Sequence, residues 1–274
     1  MMLKAFAIFS LSTMLLLVGN TPALAQHAWQ PYFEECGVTG SITLYQAETS
    51  QWITSDATEM DRYSLPASTF KIPNSLIILE EGLVTNPDAT IPWNQQIDSI
   101  KYGYRPDLYQ PLSLRKAFYK SAVWFYLEMA RQIPRERYKT WLAACGYGNG
   151  DLSFEEEDFW NFGPFGVTPR QQIQFLNGLH QETLPFSTET MRTFKEMMIS
   201  ERTDQYIIRS KTGWARNPGE HMGWWVGYLE RPHDGTIWYF ATRLYLPAGQ
   251  DTRHFGACRK EITLSILQEL GALD

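Results

Sequence analysis

An α+β domain is the fold class this sequence predicts: an antiparallel sheet built from strands near both termini, flanked by helices, with a mostly helical insert over roughly residues 80–165. Three observations carry it. Strict apolar/polar alternation marks strands just after Gly40 and again over the last third of the chain. Between these lie segments whose apolar residues recur at helical spacing and begin at clear start signals. No internal repeat or low-complexity linker divides the chain, so residues 26–274 read as one domain.

A leader comes first. Lys4 supplies a positive n-region, Ala5 to Val18 an apolar run, and Ala23-Leu24-Ala25 a small-residue cleavage pattern before Gln26. The run is shorter than the ~20 residues a spanning helix needs, so residues 1–25 read as a cleaved signal peptide. The expected product is exported, periplasmic if the host has an outer membrane, and not stably inserted in the membrane.

In the domain itself, Ser41-Ile42-Thr43-Leu44-Tyr45 alternates as a half-buried strand does, and Gln51-Trp52-Ile53-Thr54 is its hairpin partner. A helix begins at Ser68, tolerates Pro73 in its first turn and stops at Gly82. Residues 84–112, with Pro87, Pro92, Gly103, Pro106 and Pro111, are loop-rich. Ser113 caps a helix reaching Lys120, Trp124 to Gln132 forms another, and Pro134 to Cys145 a third that turns Tyr138, Trp141 and Leu142 to one face. The acidic run Glu155-Glu156-Glu157-Asp158 reads as a solvated loop. Thr168, Pro169 and Gln171 form a capping-box start, and a further helix runs from Ser187 to about Ile199. Ile207 to Trp214, Gly223 to Leu229 and Thr236 to Leu246 are strands, the last two an antiparallel hairpin, and a terminal helix spans roughly Cys258 to Leu270.

Composition removes several functions. A hydrophobic fraction of 44% indicates a globular chain, and a formal charge of -6 without a basic block disfavours nucleic acid. Cys36, Cys145 and Cys258 show no metal-like spacing; any of three pairs is open to them in an oxidising compartment, with a buried unpaired thiol as the default for each. The five histidines, His27, His180, His221, His233 and His254, lack an H-E-x-x-H pattern, which argues against both a metal site and a Ser-His-Asp triad.

Chemistry gathers instead around Ser68-Thr69-Phe70-Lys71. A serine three residues before a lysine at a helix mouth sets hydroxyl and amine on one face, about a turn apart, as a serine nucleophile with an amine-derived base requires. Alone, the spacing is one a chain this long contains by chance, and an N-capping serine with a solvated lysine is its simpler reading. Behind it, in order, stand Ser121-Ala122-Val123, Tyr147-Gly148-Asn149, Phe159-Trp160 and Lys211-Thr212-Gly213-Trp214. With Ser-x-x-Lys on a helix and Lys-Thr-Gly on a strand, the chain resembles a class D β-lactamase, the oxacillinase group, over essentially its whole mature length. Ser-Ala-Val at 121–123, where other classes carry Ser-Asp-Asn or Tyr-x-Asn, points to class D.

The resemblance implies the serine β-lactamase and penicillin-binding transpeptidase fold and a small β-lactam substrate acylating Ser68. It implies a Lys71 carbamylated to N6-carboxylysine, with carbon dioxide or bicarbonate as the sole accessory and no metal, the carbamate being held by the indole N–H of Trp160. Ser121 relays a proton to the leaving nitrogen. Lys211, Thr212 and Arg259 receive the substrate carboxylate, Val123 and Gly213 line the cleft, and backbone N–H groups of Ser68 and Trp214 form an oxyanion hole. Physically, burial among Phe70, Val123 and Trp160 is what lets Lys71 shed its proton. One departure stands out: the residue after the tryptophan is usually apolar in this family, whereas here it is Asn161, placed to hydrogen-bond the carbamate or admit water. Glu157 is a minor alternative base. The competing function is a β-lactam sensor or penicillin-binding domain that acylates without turnover, and the assembly expected is a monomer or homodimer.

Overall fold

The structure, a computed structural model, describes residues 24–26 and 29–273. The expected leader therefore lies outside the described residues up to Ala23; Leu24 and Ala25 pair through their backbones with Trp52 and Ile53. Among the described residues no helix is long and apolar enough to cross a membrane.

The strands are β1 (Leu24–Gln26), β2 (Thr39–Gln46), β3 (Gln51–Thr54), β4 (Thr90–Ile91), β5 (Leu112–Ser113), β6 (Ile199–Arg202), β7 (Ile207–Asn217), β8 (Glu220–Glu230) and β9 (Ile237–Pro247). Apart from the small β4-β5 pair they form one sheet in the order β1-β3-β2-β9-β8-β7-β6. Only β1 runs parallel to its neighbour. The sequence-expected sheet from both ends of the chain is thus present: β2 and β3 form the first hairpin, β8 and β9 the last, and β2 closes onto β9.

The helices are α1 (Gln30–Glu35), α2 (Ala57–Met60), α3 (Lys71–Glu80), α4 (Ser99–Tyr102), α5 (Leu114–Lys120), α6 (Val123–Gln132), α7 (Arg135–Ala144), α8 (Pro169–His180), α9 (Thr188–Met197) and α10 (Phe255–Glu269). They divide between the two faces of the sheet because the strands alternate with period two. Along β8, Trp224, Val226 and Tyr228 face the core shared with α3, α5, α6 and α8, while Trp225 and Leu229 face the core shared with α1 and α10. Both faces are covered, so each of these side chains is fully buried and contributes about 1.5–3 kcal/mol relative to exposure. A one-residue register slip would exchange the two sets.

Local signals behave as their chemistry requires. Ser113 caps α5, and the Thr168–Gln171 capping box forms with both reciprocal bonds, at 3.1 and 3.2 Å. Three expectations are corrected. The helix after Ser187 stops at Met197, where the chain turns into the edge strand β6. Cysteine is not unpaired by default: Cys36, just after α1, is disulfide-bonded to Cys258 in the first turn of α10, and Cys145 alone is free. And the acidic run is not uniformly solvated, since Asp158 is buried.

Candidate active site

The nucleophile sits where a short 3-10 turn, Ala67–Phe70, feeds directly into α3. Ala67 adopts φ +49°, a left-handed conformation that costs a non-glycine residue about 1–2 kcal/mol. The turn is held from several sides: Ala67 N–H donates to Trp160 O at 3.0 Å, Trp224 Nε1 to Leu65 O at 3.0 Å, and Thr69 Oγ1 to Pro66 O at 2.7 Å. Gln172 on α8 donates to Thr69 Oγ1 at 2.8 Å and accepts from the Tyr147 hydroxyl at 3.2 Å. Such over-determination is what keeps a strained residue in place beside a reactive group.

Within this frame Lys71 Nζ lies 3.0 Å from Ser68 Oγ. Ser68 is partly open, whereas Lys71 has no exposed surface. Its ammonium stands 5.1 Å from the Tyr126 ring centroid, and no carboxylate comes within ion-pair distance among the described residues. Burial drives its pKa down to about 8, partly opposed by the negative charge of Asp158. Trp160 stacks on Phe70 with ring centroids 5.2 Å apart and planes 14° apart, yet its buried Nε1 has no hydrogen-bond partner. Ser121 is the αL C-cap of α5, at φ +57°, and its buried Oγ is likewise unpartnered. Ser121 does not cap the next helix, because Ala122 holds the N-cap position of α6. Buried polar atoms are seldom left unsatisfied, so two such atoms in one site call for a group they would hydrogen-bond.

Strand β7 packs beside the turn and completes this wall. Lys211 is buried and its Nζ donates to Thr212 O at 3.0 Å. Its pKa is well below the usual lysine value, through burial first and then the charges of Lys71, Arg259 and Lys260. Gly213 backs directly onto the nucleophile turn; a Cβ there would lie 3.0 Å from Pro66 O, 3.1 Å from Thr69 Cγ2 and 3.2 Å from Trp224 Cβ. Arg259, on α10, is not a surface residue: its Nε donates to Gly256 O at 3.1 Å and its Nη1 to Gly213 O. Nε is thus spent within α10 and Nη1 on bracing β7, leaving Nη2 without a hydrogen bond to either, and burial lowers the pKa to about 10. Among the described residues no carboxylate is ion-paired with Lys211 or Arg259, and desolvated cations of this kind favour an anionic partner. Thr212 and Trp214 are partly exposed on this wall, and Val123, at the start of α6, lines a small cavity with Ser121, Trp124 and Tyr102.

The remaining motif is structural. Asn149 Nδ2 donates to Pro164 O at 2.8 Å and its Oδ1 accepts from Gly166 N–H at 3.2 Å, which ties down the segment between α7 and α8. Gly148 has φ +83°, and a Cβ there would lie 2.5 Å from the Phe165 ring, so no other residue fits.

Two sequence readings change. Glu157 is turned toward Arg131, at 3.8 Å, and is no base for this site. Asn161 does not face Lys71; its amide donates to both oxygens of Asp158, at 2.9 and 3.0 Å. Asp158 is the residue sequence reasoning missed. Its position in an acidic run hid it, and the polar Asn161 three residues later was the available signal.

A strained serine turn opening a helix, a lysine buried against it and a Lys-Thr-Gly strand beside it define a serine acyl-transfer site of the penicillin-binding type. A family model described as the penicillin binding protein transpeptidase domain matches residues 40–268. The chain is 33% identical over 253 residues to β-lactamase OXA-48 of Klebsiella pneumoniae, covering 90% of this chain and 91% of that one. It is 34% identical over 271 residues to β-lactamase OXA-2 of Salmonella typhimurium, covering 98% and 92%. The crystal structure of a class D β-lactamase from Sebaldella termitidis superposes with a TM-score of 0.85 at 35% identity, covering 93% of this chain and all of the other. The chain belongs to the class D β-lactamases.

Proposed function

We propose that this protein hydrolyses β-lactam antibiotics through an acyl-enzyme on Ser68, with a base derived from Lys71. One observation carries the reading: Ser68 Oγ and the fully buried Lys71 Nζ are 3.0 Å apart.

Ser68 is a weak nucleophile until a base accepts its proton. An ammonium cannot accept it, but with a pKa near 8 a useful fraction of Lys71 is neutral at physiological pH. Carbon dioxide taken up on that amine supplies a carboxylate base. The surroundings fit it: Trp160 Nε1 and Ser121 Oγ are buried polar atoms in need of a partner. Ser68 Oγ attacks the lactam carbonyl while backbone N–H groups of Ser68 and Trp214 receive the developing oxyanion. Ser121 carries the proton to the ring nitrogen as the C–N bond breaks. Lys211, Thr212 and Arg259 Nη2 hold the substrate carboxylate, which fixes the lactam over Ser68. Water then attacks the ester, its proton passing to the same base, and Ser68 is regenerated. Export through cleavage after Ala25 belongs to this reading, on the strength of the leader pattern; the exported protein is then expected to begin at Gln26.

The test is reversible loss of the base. Because only the neutral amine takes up carbon dioxide, activity falls as pH drops below about 8 in degassed buffer and returns when bicarbonate is added. Full activity in carbon-dioxide-free buffer, indifferent to bicarbonate, would contradict the assignment.

A further inference from the structure

The mechanism leaves one buried ionisable group in the site unused. Asp158 is 1% exposed, and both carboxylate oxygens accept from the Asn161 amide. The backbone N–H groups of Asn161 and Phe162 bond to the Asp158 carbonyl, each at 3.2 Å, so residue, clamp and turn form one unit. Two residues further on, Trp160 packs on Phe70, the neighbour of Lys71. Hydrogen bonds alone do not offset the burial of a carboxylate; it needs a positive charge.

The groups that can answer it are few. From α4, Lys101 and the Tyr102 hydroxyl act on the carboxylate, but the Lys101 ammonium is committed to Glu156 at 2.5 Å and lies over the Phe162 ring, 4.4 Å from its centroid. From α3, Lys71 acts on it, and among the described residues no carboxylate is ion-paired with Lys71. The other groups around Lys71 are Ser68, the Tyr126 ring and the cationic Lys211, none of which provides negative charge.

We propose that Asp158, clamped by Asn161, is the counter-charge of Lys71 and sets the balance between its ammonium form and the neutral amine that takes up carbon dioxide. It is a positioning residue acting through Lys71. The carbon dioxide half of this statement rests on the function proposed above; the charge half does not. In the uptake step the amine lone pair forms an N–C bond to carbon dioxide and one N–H proton leaves to solvent, so a neutral amine becomes an anion. An ionised Asp158 opposes this twice, by stabilising the ammonium and by repelling a second anion in the same pocket. Burial drives Lys71 down to about 8 and Asp158 up to about 6, and the charge of each restrains the shift of the other. Asn161 then stands where an apolar residue is usual because the carboxylate beside it has to be hydrogen-bonded.

Asp158→Asn tests this with two readouts. In carbon-dioxide-free buffer, with 13C-labelled lysine and Lys71→Ala to assign the signal, the Lys71 amine should titrate about one pKa unit lower than in the wild type, a roughly tenfold change in the neutral fraction below its pKa. At constant pH, titration with 13C-bicarbonate should show the carbamate carbon half-saturating at about tenfold less bicarbonate. An unchanged Lys71 titration overturns the proposal. A carbamate signal missing from both proteins at saturating bicarbonate defeats the carbamate base instead, while the amine titration still decides the role of Asp158. If Asp158→Asn fails to fold, Asn161→Leu replaces it. Losing the clamp pushes Asp158 toward the neutral acid, so Lys71 moves the same way by a smaller amount; no movement would again overturn the proposal.

Discussion

The two walls of the site are made differently. One consists of the turn 67–70, the start of α3 and β7, where regular backbone sets each atom: Gly213 lies against Pro66 O, and Arg259 braces the same strand through its carbonyl. The other is the segment between α7 and α8, which forms no helix or regular strand and carries Asp158, Trp160 and Asn161. It is placed by side chains, with Asn149 anchoring it and Phe159, Trp160 and Phe165 packed around Phe70. The first wall positions; in the mechanism proposed here the second sets the protonation and chemical state of Lys71. Geometry and base chemistry should therefore be separable by mutation.

Trp160→Phe is the strongest probe of the second wall, since it keeps an aromatic ring against Phe70 while removing the unpartnered indole N–H. Turnover is expected to fall about 100-fold, as when one preorganised donor is lost. Stopped-flow traces should show an acylation burst, and the bicarbonate requirement should rise. Gly213→Ala probes the first wall. Its Cβ meets three neighbours at 3.0–3.2 Å, so β7 must withdraw from the turn, and acylation should slow by about tenfold with the bicarbonate response unchanged. A shifted bicarbonate response in Gly213→Ala would show that the walls are not independent. Smallest in kinetic effect is Cys36→Ser. The disulfide it breaks joins residues 222 apart, tying the end of α1 to the turn of α10 that leads into Arg259. It should cost about 3 kcal/mol of stability, seen as a lower Tm, with kcat within about twofold of wild type because no group in the mechanism is itself replaced.

The same contrast explains what was legible in the sequence. Strands and helices were readable where periodicity and caps agree, as in the β8-β9 hairpin and the Thr168 capping box. The Ser68–Lys71 pair was readable because helix geometry converts spacing into position, and Ser121 and Lys211 through the family resemblance of the ordered motifs. Asp158 was not, because composition makes four consecutive acidic residues look solvated, and only the packing of Phe159 and Trp160 takes the last of them inside. The Cys36–Cys258 bond was also out of reach, since it joins helices at opposite ends of the chain that meet only once the sheet has closed. Arg259 was located as an anion ligand, but its bracing of Gly213 depends on α10 packing across β8, which no local pattern records.

Nitrocefin in large excess over enzyme, with bicarbonate present, tests most directly whether Ser68 is acylated and then released by water. Sustained colour development through many equivalents, abolished by Ser68→Ala, is the predicted result. One equivalent of product followed by silence would contradict it and leave a protein that binds β-lactams without destroying them.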